Sequence, residues 1–201
     1  MLNIYPDNDI MNNESNVLKM ELREVGIIID DIYDFVNTPQ PYPEAIPILI
    51  NALKKELSDK ILIEGIVRSL AVKEARGLCN KVLIKEFYRI PKENTFLLWA
   101  IGNTMAVVVC QEDVDDIIEI IKKKEYGASR QMFVYALKRV NAEKAEDLLI
   151  DLLDDTDVVS HVIGVLGKMK SQKAKSKITE LLSDKNSFVR KQAAKALKKI
   201  G

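Results

Sequence analysis

The chain has 201 residues, and its thirty Lys and Arg are balanced by thirty Asp and Glu, giving a formal net charge of zero. Apolar residues make up 47% and charged residues 30%, enough for a sizeable core and unlike a globally disordered chain. One domain or one unbroken array fits this length, whereas a body that bound nucleic acid or an anionic membrane over its whole surface would carry excess positive charge.

In chain order, residues 1–14 are polar and are expected to form a flexible tail; no basic leader precedes an apolar stretch, so no secretory signal is expected. Residues 15–37 carry Leu18, Leu22, Val25, Ile29, Ile32, Phe35 and Val36 on one stripe and are expected to form a single amphipathic capping helix. Four of the six prolines fall between Pro39 and Pro47 and break the chain, with Pro43 opening the next helix.

From there two kinds of helical segment alternate. The first comprises residues 43–56, 74–87, 113–124, 144–153 and 174–182, with apolar anchors Leu53, Phe87, Ile121, Leu153 and Leu182 at separations of 34, 34, 32 and 29 residues. The second comprises residues 61–70, 96–105, 132–140, 162–169 and 189–200, with anchors Val67, Ile101, Leu137, Leu166 and Leu197 at separations of 34, 36, 29 and 31. Two ladders with matching periods predict about five helical hairpins over 38–201. A lone hairpin cannot bury its apolar face, so the hairpins must stack into an all-α solenoid, an α-α superhelix.

The last unit, SDKNSFVRKQAAKALKKIG (183–201), resembles the second half of a HEAT repeat, with Asp184 in the turn, Val189 and Arg190 opening the helix, then Ala193, Ala194, Ala196 and Leu197. PEAIPILINAL (43–53) is similar to the first-helix pattern. The resemblance is to HEAT-like repeats of the kind found in phycobilisome lyases and bacterial scaffolds. Arg130 stands where Arg190 stands, but Val159, Asn94 and Lys60 occupy that position elsewhere, so the Asp–Arg ladder of such families is incomplete. The resemblance implies a protein-binding scaffold; a minority of such arrays are lyases or DNA glycosylases.

In solenoids of this type the second helices line the concave face, which is the usual binding surface. Aligned by their anchors, they present the columns Leu62, Phe96, Met132, His161, Gln192 and Gly65, Trp99, Tyr135, Gly164, Lys195, three residues apart and therefore on one face. Asn103, Arg139 and Lys168 follow in the last turn. Aromatic groups beside Arg and amides describe a recognition patch, so Phe96, Trp99, Asn103, Met132, Tyr135, Arg139, His161 and Lys168 are the expected partner-binding residues, for a protein or peptide.

Catalytic signals are absent. His161 is the sole histidine, and there is no GxGxxG, P-loop or GxSxG. The acidic runs Asp30–Asp31, Asp113–Asp116 and Asp154–Asp157 are expected to cover solvated helix ends. No catalytic residue, metal site or cofactor is assigned. The sharpest enzymatic alternative, a HEAT-like DNA glycosylase or nucleic-acid binder, is weakened because none of the inner columns holds a carboxylate. The longest apolar runs are six residues, against about 20 for a membrane span. Cys79 and Cys110 lack CxxC spacing, which fits two packed thiols in a reduced cytoplasmic protein.

Net zero hides a gradient: −6 over residues 1–43, +3 over 44–110, −6 over 111–167 and +9 over 168–201. Lys170, Lys173, Lys175 and Lys177 form a basic stretch within the last segment. It is read as a polar cap with two functional alternatives, docking of an acidic partner or weak head-to-tail association of an otherwise monomeric chain.

Overall fold

The computed structural model describes residues 13–201, so all but the end of the tail expected over 1–14 lies outside the described residues. Helix α1 runs Glu14–Glu24, capped by the Asn13 side chain, which accepts a hydrogen bond from the Ser15 N–H. The single capping helix expected over 15–37 is interrupted. Gly26 takes φ +80°, and the Gly26 and Ile27 N–H groups turn back to the carbonyls of Arg23 and Leu22, a Schellman closure that needs a residue tolerant of the left-handed region. The chain then resumes as the short α2, Asp34–Asn37, where the Asp34 carboxylate accepts from the N–H groups of Asp30 and Asp31 at 2.8 and 3.1 Å. Leu18, Leu22, Ile29, Ile32 and Phe35 are buried, while Val25 and Val36 are exposed. The apolar stripe was legible; the turn that folds it was not.

Ten further helices follow. The first helices of the hairpins are α3 (Ala45–Lys54), α5 (Asn80–Arg89), α7 (Val114–Lys122), α9 (Glu146–Asp151) and α11 (Lys175–Glu180). The second helices are α4 (Lys60–Ser69), α6 (Thr95–Val108), α8 (Gln131–Ala136), α10 (Val159–Met169) and α12 (Ser187–Ile200). Tight 3-10 turns extend α8, α9 and α11 at their carboxyl ends. The helix expected from residue 74 begins only at Asn80, after a 3-10 turn over Lys73–Ala75 and a left-handed Gly77. No strand occurs among the described residues, and the arrangement is an all-α solenoid.

Successive units join through the second helices: α2 packs on α4, α4 on α6, α6 on α8, α8 on α10 and α10 on α12. Because α1 packs on α3 in the same way, α1 and α2 form a foreshortened extra hairpin. Close approach in this layer depends on small residues. A Cβ on Gly167 would sit 2.7 Å from the Ala196 Cβ and 2.8 Å from its Cα, and one on Gly65 would strike Ile32. The anchors Leu53, Phe87, Ile121, Leu153, Val67, Ile101, Leu137 and Leu166 are all buried. Leu182 is exposed instead, and Leu197 half-buried.

The first helices are linked, besides their apolar packing, by pairs of charges at the surface. Lys55 meets Glu21, Lys85 meets Glu56 at 2.8 Å, and Lys81 meets Asp116 at 2.5 Å. Further along, Lys144 meets Asp115 at 2.5 Å, Lys173 meets Glu146 and Asp147 at 3.6 and 3.2 Å, and Lys177 meets Asp154 at 3.6 Å. Exposed pairs of this kind contribute roughly 0–1 kcal/mol each, so apolar packing rather than this seam supplies the stability.

Two polar clusters are buried, and they correct the expectation of solvated acidic runs for Asp113 and Asp155 alone, since Asp30, Asp31, Asp115, Asp154 and Asp157 are exposed. Asp113 is buried and accepts from the Asn80 side-chain amide and, at 2.7 Å, from the Cys110 N–H; Asn80 also donates to the Val108 carbonyl at 3.0 Å. Asp155 is the partner of Arg130, whose side chain is wholly inside the protein. The thiols also differ. Cys79 is fully buried and its pKa is pushed up to about 12, chiefly by loss of hydration, whereas Cys110 is half-buried. Native protein treated with a thiol-specific reagent is therefore expected to modify at most Cys110, with Cys79 reacting only after unfolding; mass spectrometry of the labelled peptides checks this.

Candidate functional site

Phe96 and Trp99 occupy the first turns of α6, where the Asn94 side chain caps the helix by accepting from the Leu97 N–H. Both are exposed, Phe96 at 60% and Trp99 at 37% of their surface, and Tyr135 on α8 is exposed at 37%. Phe96 and Trp99 line a shallow depression of about 250 Å³ together with Ala128 and Ser129. The Arg68 guanidinium lies 5.4 Å from the centre of the Phe96 ring, a cation–π distance. Met132 and His161 are half-buried.

The expected residues lie along more than one concavity. Asn103 opens into a cleft of about 740 Å³ between the proline-rich segment and the ends of α4 and α6, shared with Tyr42, Val107 and the same Arg68 that lies over Phe96. Tyr42 anchors the proline-rich segment by donating its hydroxyl to the Ser69 carbonyl at 2.8 Å. Arg139 sits at the rim of this cleft, donating to the Val107 carbonyl at 3.4 Å. Asn103 and Arg139 thus mark one end of the second-helix layer, and Phe96 and Trp99 the other.

Tyr135, His161 and Lys168 belong to a third location. The Lys138 ammonium lies 4.5 Å from the centre of the Tyr135 ring and crosses α10 at Gly164, where a Cβ would sit 2.5 Å from its Nζ. Lys168 donates to the Lys138 carbonyl. A groove of about 380 Å³ opens here, lined by Lys138, Gly164, Gly167, Lys168, Gln192, Lys195, Ala196, Lys198 and Lys199. Lys138, Lys195 and Lys199 were missing from the expected set. The signal was present as Gly164 and Gly167, one turn apart, but the column alignment did not show that Lys138 leaves its own helix to cover one of them.

Burial, and secondarily the Lys138 charge, hold the His161 imidazole below its ordinary pKa. A folded-state pKa below the unfolded value of ~6.5 means that the unfolded chain takes up the proton first as the pH falls. The contribution of His161 to stability is therefore complete above the unfolded value and is lost as the pH drops through the lowered one. Thermal unfolding of the protein and of His161→Gln from neutral to mildly acidic pH should show a smaller loss of Tm in the variant.

The basic stretch is not one free surface. Lys173 and Lys177 are engaged with Glu146, Asp147 and Asp154 of the preceding unit, and Lys175 donates to the Gly201 carbonyl. Lys170 is exposed in a left-handed conformation that ends α10. Among the described residues no three His, Cys, Asp or Glu side chains are grouped to hold a metal ion, and no helix is long and apolar enough to cross a membrane.

Residues 114–198 match the family model described as HEAT repeats. Comparison with curated proteins and with solved structures returned no match.

Proposed function

From a chain that carries HEAT repeats over residues 114–198, we propose a non-enzymatic interaction scaffold that binds a partner protein or peptide on the face formed by α4, α6, α8, α10 and α12. HEAT repeats commonly mediate protein–protein interaction. Close packing in this layer, as of Gly167 against Ala196, supports reading it as the inner side of the array, the side such arrays use for binding. The observation that carries the reading is the exposure of Phe96, Trp99 and Tyr135 on this layer. Large aromatic rings left in water beside Arg68 and Lys138 match the composition of binding hot spots. No carboxylate lines the depression at Phe96 and Trp99 or the lysine groove, and the Glu64 carboxylate on the neighbouring α4 is bonded to Arg68 at 2.6 Å, which counts against a glycosylase-like reaction.

The reading is tested by comparing the proteins retained by the intact chain with those retained by Trp99→Ala, Arg139→Ala. Arg139 is exposed, whereas Trp99 is only 37% exposed and partly packed, so the variant is first confirmed folded by its thermal transition. A partner retained by the intact protein should be lost from the variant, since truncating a hot-spot residue costs about 2 kcal/mol or more, roughly thirtyfold in affinity. An unchanged set of partners would remove the support for this face.

A further inference from the structure

Five lysines from three successive repeat units line the groove between α8, α10 and α12, Lys198 among them, and four converge. Lys138 reaches over from the end of α8, Lys168 rises from α10, and Lys195 and Lys199 face them from α12. Two glycines allow the convergence. Gly164 leaves the space through which the Lys138 chain crosses α10, and Gly167 lets α12 approach until Ala196 lies against it. None of the four is in an ion pair with a carboxylate of the described residues, although six other lysines bridge neighbouring repeats by such pairs. Burial first, then the charges of Lys199 and Lys168, hold the Lys138 ammonium below the ordinary lysine pKa. Like charges gathered without a counter-charge are a feature of sites awaiting an anion.

We propose that this groove holds an acidic peptide segment of the partner protein, with its carboxylates against Lys138, Lys168, Lys195 and Lys199. The proposal rests on the inner-face reading above and specifies the chemistry of what that face binds. A carboxylate-bearing peptide fits better than a nucleic acid. The lining contains lysine and no arginine, so it offers point charges that accept any anion without a fixed bidentate geometry, and the choice rests on the extent of the site. A nucleic-acid strand would need cations along many successive phosphates, whereas the unpaired lysines that converge here are confined to one short groove. Tyr135 at the groove edge adds an aromatic face for an apolar residue flanking the acidic run.

The test uses a fluorescein-labelled poly-glutamate peptide and the full chain, read by fluorescence polarisation at increasing salt, beside Lys195→Glu, Lys199→Glu. Both lysines are exposed and unpaired, and the variant is confirmed folded by its thermal transition. The expected result is binding that weakens with salt and falls by about tenfold or more in the variant. Equal affinity of the two proteins overturns the proposal. Tighter binding of an oligothymidine strand than of poly-glutamate overturns it in favour of nucleic acid. Self-association at low salt that the same two substitutions abolish overturns it in favour of a second copy. The outcome is separable from that of the inner-face reading. A partner that needs Trp99 and Arg139 while poly-glutamate ignores the lysines overturns the acidic-segment proposal alone. Poly-glutamate held by the lysines, with no partner lost from Trp99→Ala, Arg139→Ala, supports the groove and overturns the wider reading.

Discussion

Arg130→Ala is expected to destabilise the protein by about 3–5 kcal/mol, a large share of the total stability of a domain this size. The side chain is fully buried and satisfies three acceptors at once: the Gly127 carbonyl from Nε at 3.0 Å, the Ile121 carbonyl at 3.0 Å and the Asp155 carboxylate at 2.9 Å. These lie on the turn after α7, on α7 itself and on the turn before α10, so one guanidinium ties two repeats together. Truncation leaves a buried carboxylate without its counter-charge and two carbonyls without donors, and each loss costs more than the intact pair contributes. Urea unfolding measures the effect. Arg130→Ala, Asp155→Ala should lose less than the sum of the single variants, because the second substitution removes the stranded charge. A loss under about 1 kcal/mol for Arg130→Ala would place the pair in the class of surface ion pairs.

Phe87→Ala is expected to cost about as much, ~3–5 kcal/mol, by a different route. Phe87 on α5 is fully buried, with its ring centre 4.7 Å from that of Tyr126, 4.8 Å from Phe133 and 5.7 Å from Tyr88. Tyr126 and Phe133 belong to the following repeat, so the cavity opens at a junction between units. Stability in a repeat array is close to a sum of unit and interface terms. Weakening one interface should therefore also broaden the transition, with the Trp99 fluorescence midpoint separating from that of the helical signal. Phe87→Leu, which keeps most of the volume, should cost less than about 1.5 kcal/mol. Coincident midpoints together with a loss below that figure for the alanine variant would show that the junction repacks.

The two substitutions also mark where reading the sequence succeeded and where it stopped. Phe87 was an anchor in a ladder of apolar residues, because burial in a stacked array imposes the helical period on the chain and the period survives in one dimension. Arg130 was recognisable by its position in the repeat. Its partner Asp155 was assigned to a solvated run because their pairing is a relation through space between neighbouring units. The helix over 15–37 was misjudged for a related reason. Ile29, Ile32 and Phe35 are as buried as a continuous helix would make them, and the same spacing is met by a chain that turns at Gly26. At the candidate site the aromatic residues were found and are exposed. Their division among a shallow depression, a cleft and a lysine groove depends on where long side chains lie, and residue type alone does not encode that.

The unlike seams along the two sides of the array respond differently to salt. One side is held by contact between apolar side chains and near-backbone approaches such as Gly167 on Ala196, whose length can hardly change. The other adds flexible lysines meeting carboxylates in water, which lengthen at little cost and weaken as salt screens them. Rising ionic strength should therefore loosen the surface pairs on that side first, while the apolar contacts beneath them, such as Phe87 on Tyr126, stay in place.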